Sequence, residues 1–193
     1  DHIWYNPDVS TYEFDIEKAK ELLNNKTLNL TLLIADAQEE ARIAELMKIN
    51  LAKAGINLKV QSADMKTRDS MVKELNYELA LIGHGGWGQD ADILRENYGT
   101  SVARDNSPAS NIIPGYSNPK INDLCQRQLR ELDVERRKTI IMELQKLISD
   151  EIPILPLYNT VEYTVYRPEK YDGWVHVFDH HEVTHNKVSY LER

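Results

Sequence analysis

The stretch "LNLTLLIADAQEEARIAELMKINLAKAGINLKV" occupies residues 28–60. Its first eight residues, Leu28 to Ala35, are almost continuously apolar and read as a strand. Ile43, Leu46, Met47, Leu51 and Ala54 then recur at helical spacing, and Asp36 followed by Glu39 resembles a capping box at the helix start. Gly55 stands where a C-terminal cap belongs, because glycine alone turns left-handed there without a Cβ clash. Ile56, Leu58 and Val60 alternate with polar residues, so a second strand follows.

The same logic extends in both directions. Upstream, Asp15 is placed to cap a helix running to about Asn25, with Ala19, Leu22 and Leu23 on one face. Downstream, Asp64 opens a helix carrying Met71, Val72 and Leu75, and "ELALIG" (residues 78–83) is a third strand. Strand, helix, strand, helix, strand with crossovers of this length predicts an α/β fold, with a mostly parallel central sheet flanked by helices. After a polar loop at residues 98–116, Asn118 and Pro119 start another helix with Ile121, Leu124, Cys125, Leu129 and Leu132 on one face. Asp133 starts the next, with Ile140, Ile141, Leu144, Leu147 and Ile148 inside, and Pro153 blocks its continuation. "IPILPLY" and "VEYTVY" read as extended segments, and the stretch from Gly173 alternates before turning polar.

Composition excludes several classes of function. The 193 residues carry a net charge of −8, with Lys and Arg scattered among Glu and Asp, so no basic patch invites nucleic acid. One cysteine, Cys125, offers neither a disulfide framework nor a Cys-based zinc site and reads as a small core residue. No apolar run is long enough to span a bilayer. The start at Asp1 rather than Met is expected of a fragment or a processed chain.

Chemistry concentrates in "GHGGWGQDAD", residues 83–92, which holds half of the chain's 8 glycines. Glycines this dense mark close approach of backbone to something, or positive φ. Asp90 and Asp92 could form an acid/base pair, hold a cation or anchor an ammonium group, and Asp92 could instead cap a helix in "ADILRENY". Trp87 suits either a core position or stacking against a ligand. The loop has no Lys or Arg and no Gly-Lys-Ser/Thr ending, so it is neither a P-loop nor a dinucleotide fingerprint. His176, His180, His181 and His185 cluster near the end; His181 and His185 have metal-ligand spacing only if helical, whereas "WVHVF" alternates like a strand. No nucleophile elbow, zinc-protease pattern or catalytic triad is present, so no catalytic residue, metal site or cofactor is assigned.

The blocks "EFDIEKAKELL", "LAKAGINLKV", "YELALIGHGGWGQDADIL" and "GYSNPKINDLCQRQLRELDVERRKTIIMELQKLISDEIPILPLYNTVEYTVYRP" together resemble the peptide/nickel-binding family (family 5) of extracytoplasmic solute-binding proteins of ABC transporters. The resemblance runs from about Tyr12 to Trp174. Its most specific part joins a Tyr-Ser-Asn-Pro helix start, an Asp-x-x-x-Arg helix start and a Pro-x-x-Pro-Leu-Tyr strand. It implies a type II periplasmic-binding-protein-like lobe, the C-terminal lobe of a two-lobed receptor that closes on its ligand by a hinge. Residues 1–175 are then one α/β ligand-binding lobe, and 176–193 a return crossing towards an N-terminal lobe outside this sequence. The implied partners are a peptide or other small polar solute, that N-terminal lobe and an ABC permease. The implied location is extracytoplasmic, periplasmic or lipoprotein-anchored. In peptide-binding relatives a Trp-x-x-Asp at this place supplies the carboxylate for the ligand's α-ammonium, and Trp87-Gly88-Gln89-Asp90 has that spacing, although Ala91 stands where the family usually has proline. The implied ligand-binding residues are Gly85, Gly86, Trp87 and Asp90, the glycines pairing with peptide backbone by strand addition. A nickel-chelate or sugar receptor of the same fold is the alternative, and an enzyme using the Asp90 and Asp92 carboxylates a more distant one.

Overall fold

Leu32, Leu33, Ile34 and Ala35 form an unbroken apolar run, and each is at most 2 % exposed. Consecutive strand residues face opposite sides, so such a run is stable only in a strand covered on both faces. In the computed structural model, which describes residues 3–83, 90–100, 113, 115–159, 161, 163, 165–170 and 172–173, that strand is β1 (Leu28–Ala35). It is the middle strand of a three-stranded parallel sheet in the order β2-β1-β3. The described residues fall into two units, Ser10–Gly83 and a second comprising Asp1–Val9 with His84–Arg193.

The first unit holds the sheet. Strand β2 (Ile56–Ala63) pairs with β1 from Leu28↔Ile56 to Ala35↔Ala63. Strand β3 (Leu79–Ala80) pairs on the other edge through Leu32↔Leu79, and Leu81 N extends the ladder by donating to Leu33 O at 2.9 Å. Helix α2 (Gln38–Lys53) packs on β1 and β2 and helix α3 (Met65–Lys73) contacts both, which gives the α/β fold expected from the sequence. Leu32, Ile34, Ala44 and Leu58 are the centre of this core. Gly55, at φ +92°, ends α2 as expected, and its carbonyl accepts from Leu28 N at 3.0 Å, so one glycine sets both the helix end and the strand register.

Local starts follow the side chains able to reach the backbone. Asp15 accepts from Lys18 N at the start of α1 (Ile16–Leu22), and Asp64 accepts from Lys66 N and Thr67 N. Asp36 differs from expectation: Ala37 is the N-cap of α2, one residue later, and no side chain caps it. Glu40 takes over, accepting from Ala35 N at 2.7 Å. Faces also shift. Leu46 is 62 % exposed, Leu22 is 73 % exposed, and Leu75 adopts φ +59° beyond the end of α3. Leu46 stands two places after the buried Ala44, a step that carries it well round the helix and turns it outward.

The regular secondary structure described in the second unit is helical. Helices α4 (Ile93–Tyr98), α5 (Pro119–Arg130) and α6 (Val134–Glu151) enclose Tyr98, Ile121, Leu124, Cys125 and Leu144. Asn118 and Asp133 cap α5 and α6 as expected. Burial pushes the Cys125 thiol up to about 11, which keeps it protonated and inert as a core residue. Leu129 and Leu132, expected inside, are 53 % and 94 % exposed; the inward position of that face belongs to Gln128, at 1 %. Ile152 turns left-handed at φ +46° and Pro153 follows. The described residues of "IPILPLY" and "VEYTVY" lie in no strand. No helix among the described residues is long and apolar enough to cross a membrane.

Two substitutions test these assignments. Leu144→Ala, at a site with no exposure, should lower unfolding free energy by about 2–5 kcal/mol in urea titration, whereas Leu46→Ala should change it by no more than about 0.5 kcal/mol. Gly55→Ala should cost roughly 1 kcal/mol or more through its positive φ alone, since the added Cβ meets only Lys26 O at 3.4 Å.

Candidate functional site

Of the four residues the sequence nominates, Asp90 is described; Gly85, Gly86 and Trp87 lie outside the described residues, as does the histidine cluster at 176–185. Asp90 opens the turn into α4. Its Oδ1 accepts from the Asp92 N–H at 2.8 Å, which folds the chain back on the side chain. The side chain remains 59 % exposed.

Helix α6 supplies the partner. Asp133 caps the helix through Arg136 N, and Arg137 projects one residue further in. Its guanidinium meets Asp90 in a two-point pair, Nη2 to Oδ1 at 2.6 Å and Nη1 to Oδ2 at 3.1 Å. Nε and Nη2 also donate to Gln128 Oε1 at 3.1 and 3.0 Å. The indole of Trp4 lies against the guanidinium, 5.0 Å from ring centroid to Cζ. Trp4 is itself tied to α6, since its carbonyl accepts from Gln145 Nε2 at 2.8 Å, and Asn6 Nδ2 donates to Met142 O at 3.0 Å.

Gln128 connects this pair to a second one. Its amide nitrogen donates to Asp92 Oδ1 at 2.6 Å, and Asp92 is gripped by Arg95 Nε and Nη2 at 2.7 and 2.6 Å. Asp92 therefore holds the N-cap position of α4 without capping it: a charged guanidinium outcompetes a backbone N–H for the carboxylate. The Arg137 guanidinium holds Asp90 below the usual carboxylate range, and Arg95 does the same to Asp92. Two carboxylates thus depressed are poor proton carriers near neutral pH, where a general acid needs a raised pKa. Asp90 is thus ionised, charge-paired with Arg137 and still partly open to solvent.

Arg137, Gln128 and Trp4 are not among the residues the sequence nominates. One signal is available for Gln128, a lone amide on the otherwise apolar face of Ile121, Leu124 and Cys125. Arg137 is visible as the arginine of the Asp-x-x-x-Arg helix start, but its partner lies 47 residues away and no local pattern points to it.

Known proteins share this architecture. Residues 1–106 match the family model of bacterial extracellular solute-binding proteins, family 5, middle region. The peptide transport periplasmic protein SapA of Salmonella typhimurium is 24 % identical over 171 residues, covering 84 % of this chain and 31 % of SapA. The dipeptide-binding protein of Escherichia coli is 25 % identical over 184 residues, covering 91 % of this chain and 33 % of that protein. The oligopeptide-binding protein of Thermus thermophilus, solved with a pentapeptide, superposes with a TM-score of 0.67 at 22 % identity, over 81 % of this chain and 31 % of that one. The chain thus spans about a third of the length of the curated relatives it matches. The parallel sheet with its flanking helices is the fold of these periplasmic binding proteins. On the family match, the chain belongs to the bacterial extracellular solute-binding proteins, family 5.

Proposed function

We propose that the chain is one lobe of the substrate-binding component of an ABC importer, working outside the cytoplasmic membrane, and that it takes a peptide by its free amino end. Both units belong to this lobe in our reading, which faces a second lobe and delivers the solute to a membrane permease. The observation that carries the proposal is the state of Asp90: a carboxylate directly after the glycine-tryptophan stretch in sequence, held ionised by Arg137 and still 59 % exposed. An ionised carboxylate has about four acceptor positions. Asp90 uses two on Oδ1 and one on Oδ2, which leaves an acceptor direction on Oδ2 for a ligand ammonium. An ammonium leaving water needs such a partner. Trp87 would cover the ligand with its indole, and the backbone at Gly85 and Gly86 would pair with the ligand's main chain. The peptide-binding relatives support the ligand class.

Asp90→Asn tests the reading in the complete receptor. Loss of a charge-paired anchor costs about 2 kcal/mol or more, so calorimetry should show trialanine binding weakened roughly 30-fold or further. N-acetyl-trialanine should bind poorly to the unsubstituted receptor and be unaffected by the substitution. Equal trialanine affinity in both proteins removes Asp90 from the site.

A further inference from the structure

The arginine of the Asp133-x-x-x-Arg137 helix start has no part in ligand contact under the function proposed above, yet it is the most heavily held side chain near Asp90. Four hydrogen bonds and one aromatic face engage a single guanidinium: two bonds to Asp90, two to Gln128 Oε1, and the Trp4 ring at 5.0 Å. Gln128 cannot rotate freely either, because its amide nitrogen is committed to Asp92, which is committed to Arg95. The arginine side chain is only 20 % exposed and that of Asp90 59 %. In this pair the arginine is the fixed member and the aspartate the member that conforms.

We infer that Arg137 is the positioning residue for Asp90: it selects the rotamer in which the outer edge of the carboxylate faces the ligand's ammonium. The inference rests on the reading of Asp90 as the anchor. A carboxylate free to rotate would lose that alignment and the entropy of fixing it would fall on ligand binding. Among the described residues, the charged groups facing Asp90 are Arg137 from α6 and Asp92 from the turn before α4, the latter sharing Arg95 with Glu96; Gln128 of α5 and Trp4 bring no charge. Asp90 is thus already charge-paired by Arg137, and what that pairing adds is geometry.

The geometry also argues against Arg137 being a stand-in cation that the ligand must expel. Expulsion would break the two-point pair, leave the bonds to Gln128 and the contact with Trp4 holding the guanidinium in place, and set two cations side by side. Sharing Asp90, with Arg137 on the inner edge and the ammonium on the outer, keeps the two-point pair intact and leaves the carboxylate between the two cations.

The test uses Arg137→Lys and Arg137→Met with two readouts. In this chain, carboxyl carbon chemical shifts followed by acid titration give the ionisation of Asp90, with Asp90→Asn for assignment. A carboxyl held low by its partner ionises at a lower pH, so its midpoint should rise in Arg137→Met and rise less in Arg137→Lys, which keeps a charge but not the fork. In the complete receptor, trialanine affinity at neutral pH should fall roughly tenfold in Arg137→Met, about one charge-assisted hydrogen bond's worth, with partial rescue by lysine. The acid limit of trialanine binding should move up in the same order, while N-acetyl-trialanine binding should not change. Circular dichroism and thermal melting report whether each variant folds, and Arg137→Lys alone decides the matter if the methionine variant does not. Unchanged Asp90 ionisation and unchanged trialanine affinity, with Asp90→Asn still losing its selection for the amine, overturns the inference and spares the anchor. Tighter trialanine binding in either variant overturns it in favour of a competing internal cation. Loss of the anchor reading itself, seen as no effect of Asp90→Asn, brings the inference down with it.

Discussion

A guanidinium on a side chain only one-fifth exposed must be met on nearly every side, and Arg137 carries such a group. Much of the described second unit can be derived from that requirement. Asp90 is drawn into the turn before α4 to supply a carboxylate. Gln128 takes the inward position on an apolar face because its carbonyl completes the arginine's donors. Its amide nitrogen, then pointing the other way, needs an acceptor, and Asp92 provides one. Asp92 brings Arg95, and Trp4 closes the remaining face. Each step satisfies one buried polar group and fixes the orientation of the next, so the segment before α4, α4, α5, α6 and the N-terminal segment are tied by chemistry as well as by the core around Leu144.

The first unit is governed by a different constraint, the double-sided burial of β1. It too relies on an arginine. Arg68 of α3, 6 % exposed, donates from Nη1 to Leu81 O and from Nε to Asp69 Oδ1 at 2.8 Å, and lies 3.6 Å from Glu40. The carbonyl it holds belongs to the ladder residue just beyond β3, so the strand end that leads towards the glycine-rich stretch is clamped. Ligands of open α/β sheets sit outside the carboxyl ends of strands.

The legible parts of the fold are those encoded within a few residues. Asp15, Asp64, Asn118 and Asp133 act as caps because each is followed by a helical run whose first N–H groups are within a side chain's reach. Gly55 is legible because a Cβ there would strain the backbone. Asp36 and Asp92 have the same residue type in similar settings and do not cap, since Glu40 satisfies the chain beside the first and Arg95 claims the second. The exposure of Leu129 and Leu132 escapes the sequence for a related reason. Composition favours leucine inside, but the inward position of α5 at 128 is fixed by the helical step from Leu124, and the network there requires an amide. At the candidate site, Asp90 is nominated by its distance in sequence from Trp87, as the family resemblance implies. Arg137 shows only as part of a helix start, because a contact across 47 residues leaves no local trace.

Under the proposed function, the pairing of Asp90 with Arg137 has a consequence for the kind of ligand Asp90 would distinguish. A bare aspartate attracts any cation, and attraction of that sort falls away with salt and with distance. Asp90 carries its own counter-ion, so a metal ion or a mobile lysine side chain gains little from approaching it without matching its geometry. Among the described residues, what remains is one acceptor direction on Oδ2, on the flank that the Arg137 fork does not occupy. A terminal ammonium would suit it: three donors on one atom allow a bond to Asp90 along that direction and leave two for other acceptors. An acetylated terminus offers a single amide N–H without charge, and the bond it makes is about half as strong. In the proposed receptor, selection for the free amino end of a peptide would then depend on how firmly Asp90 is held rather than on how negative its surroundings are.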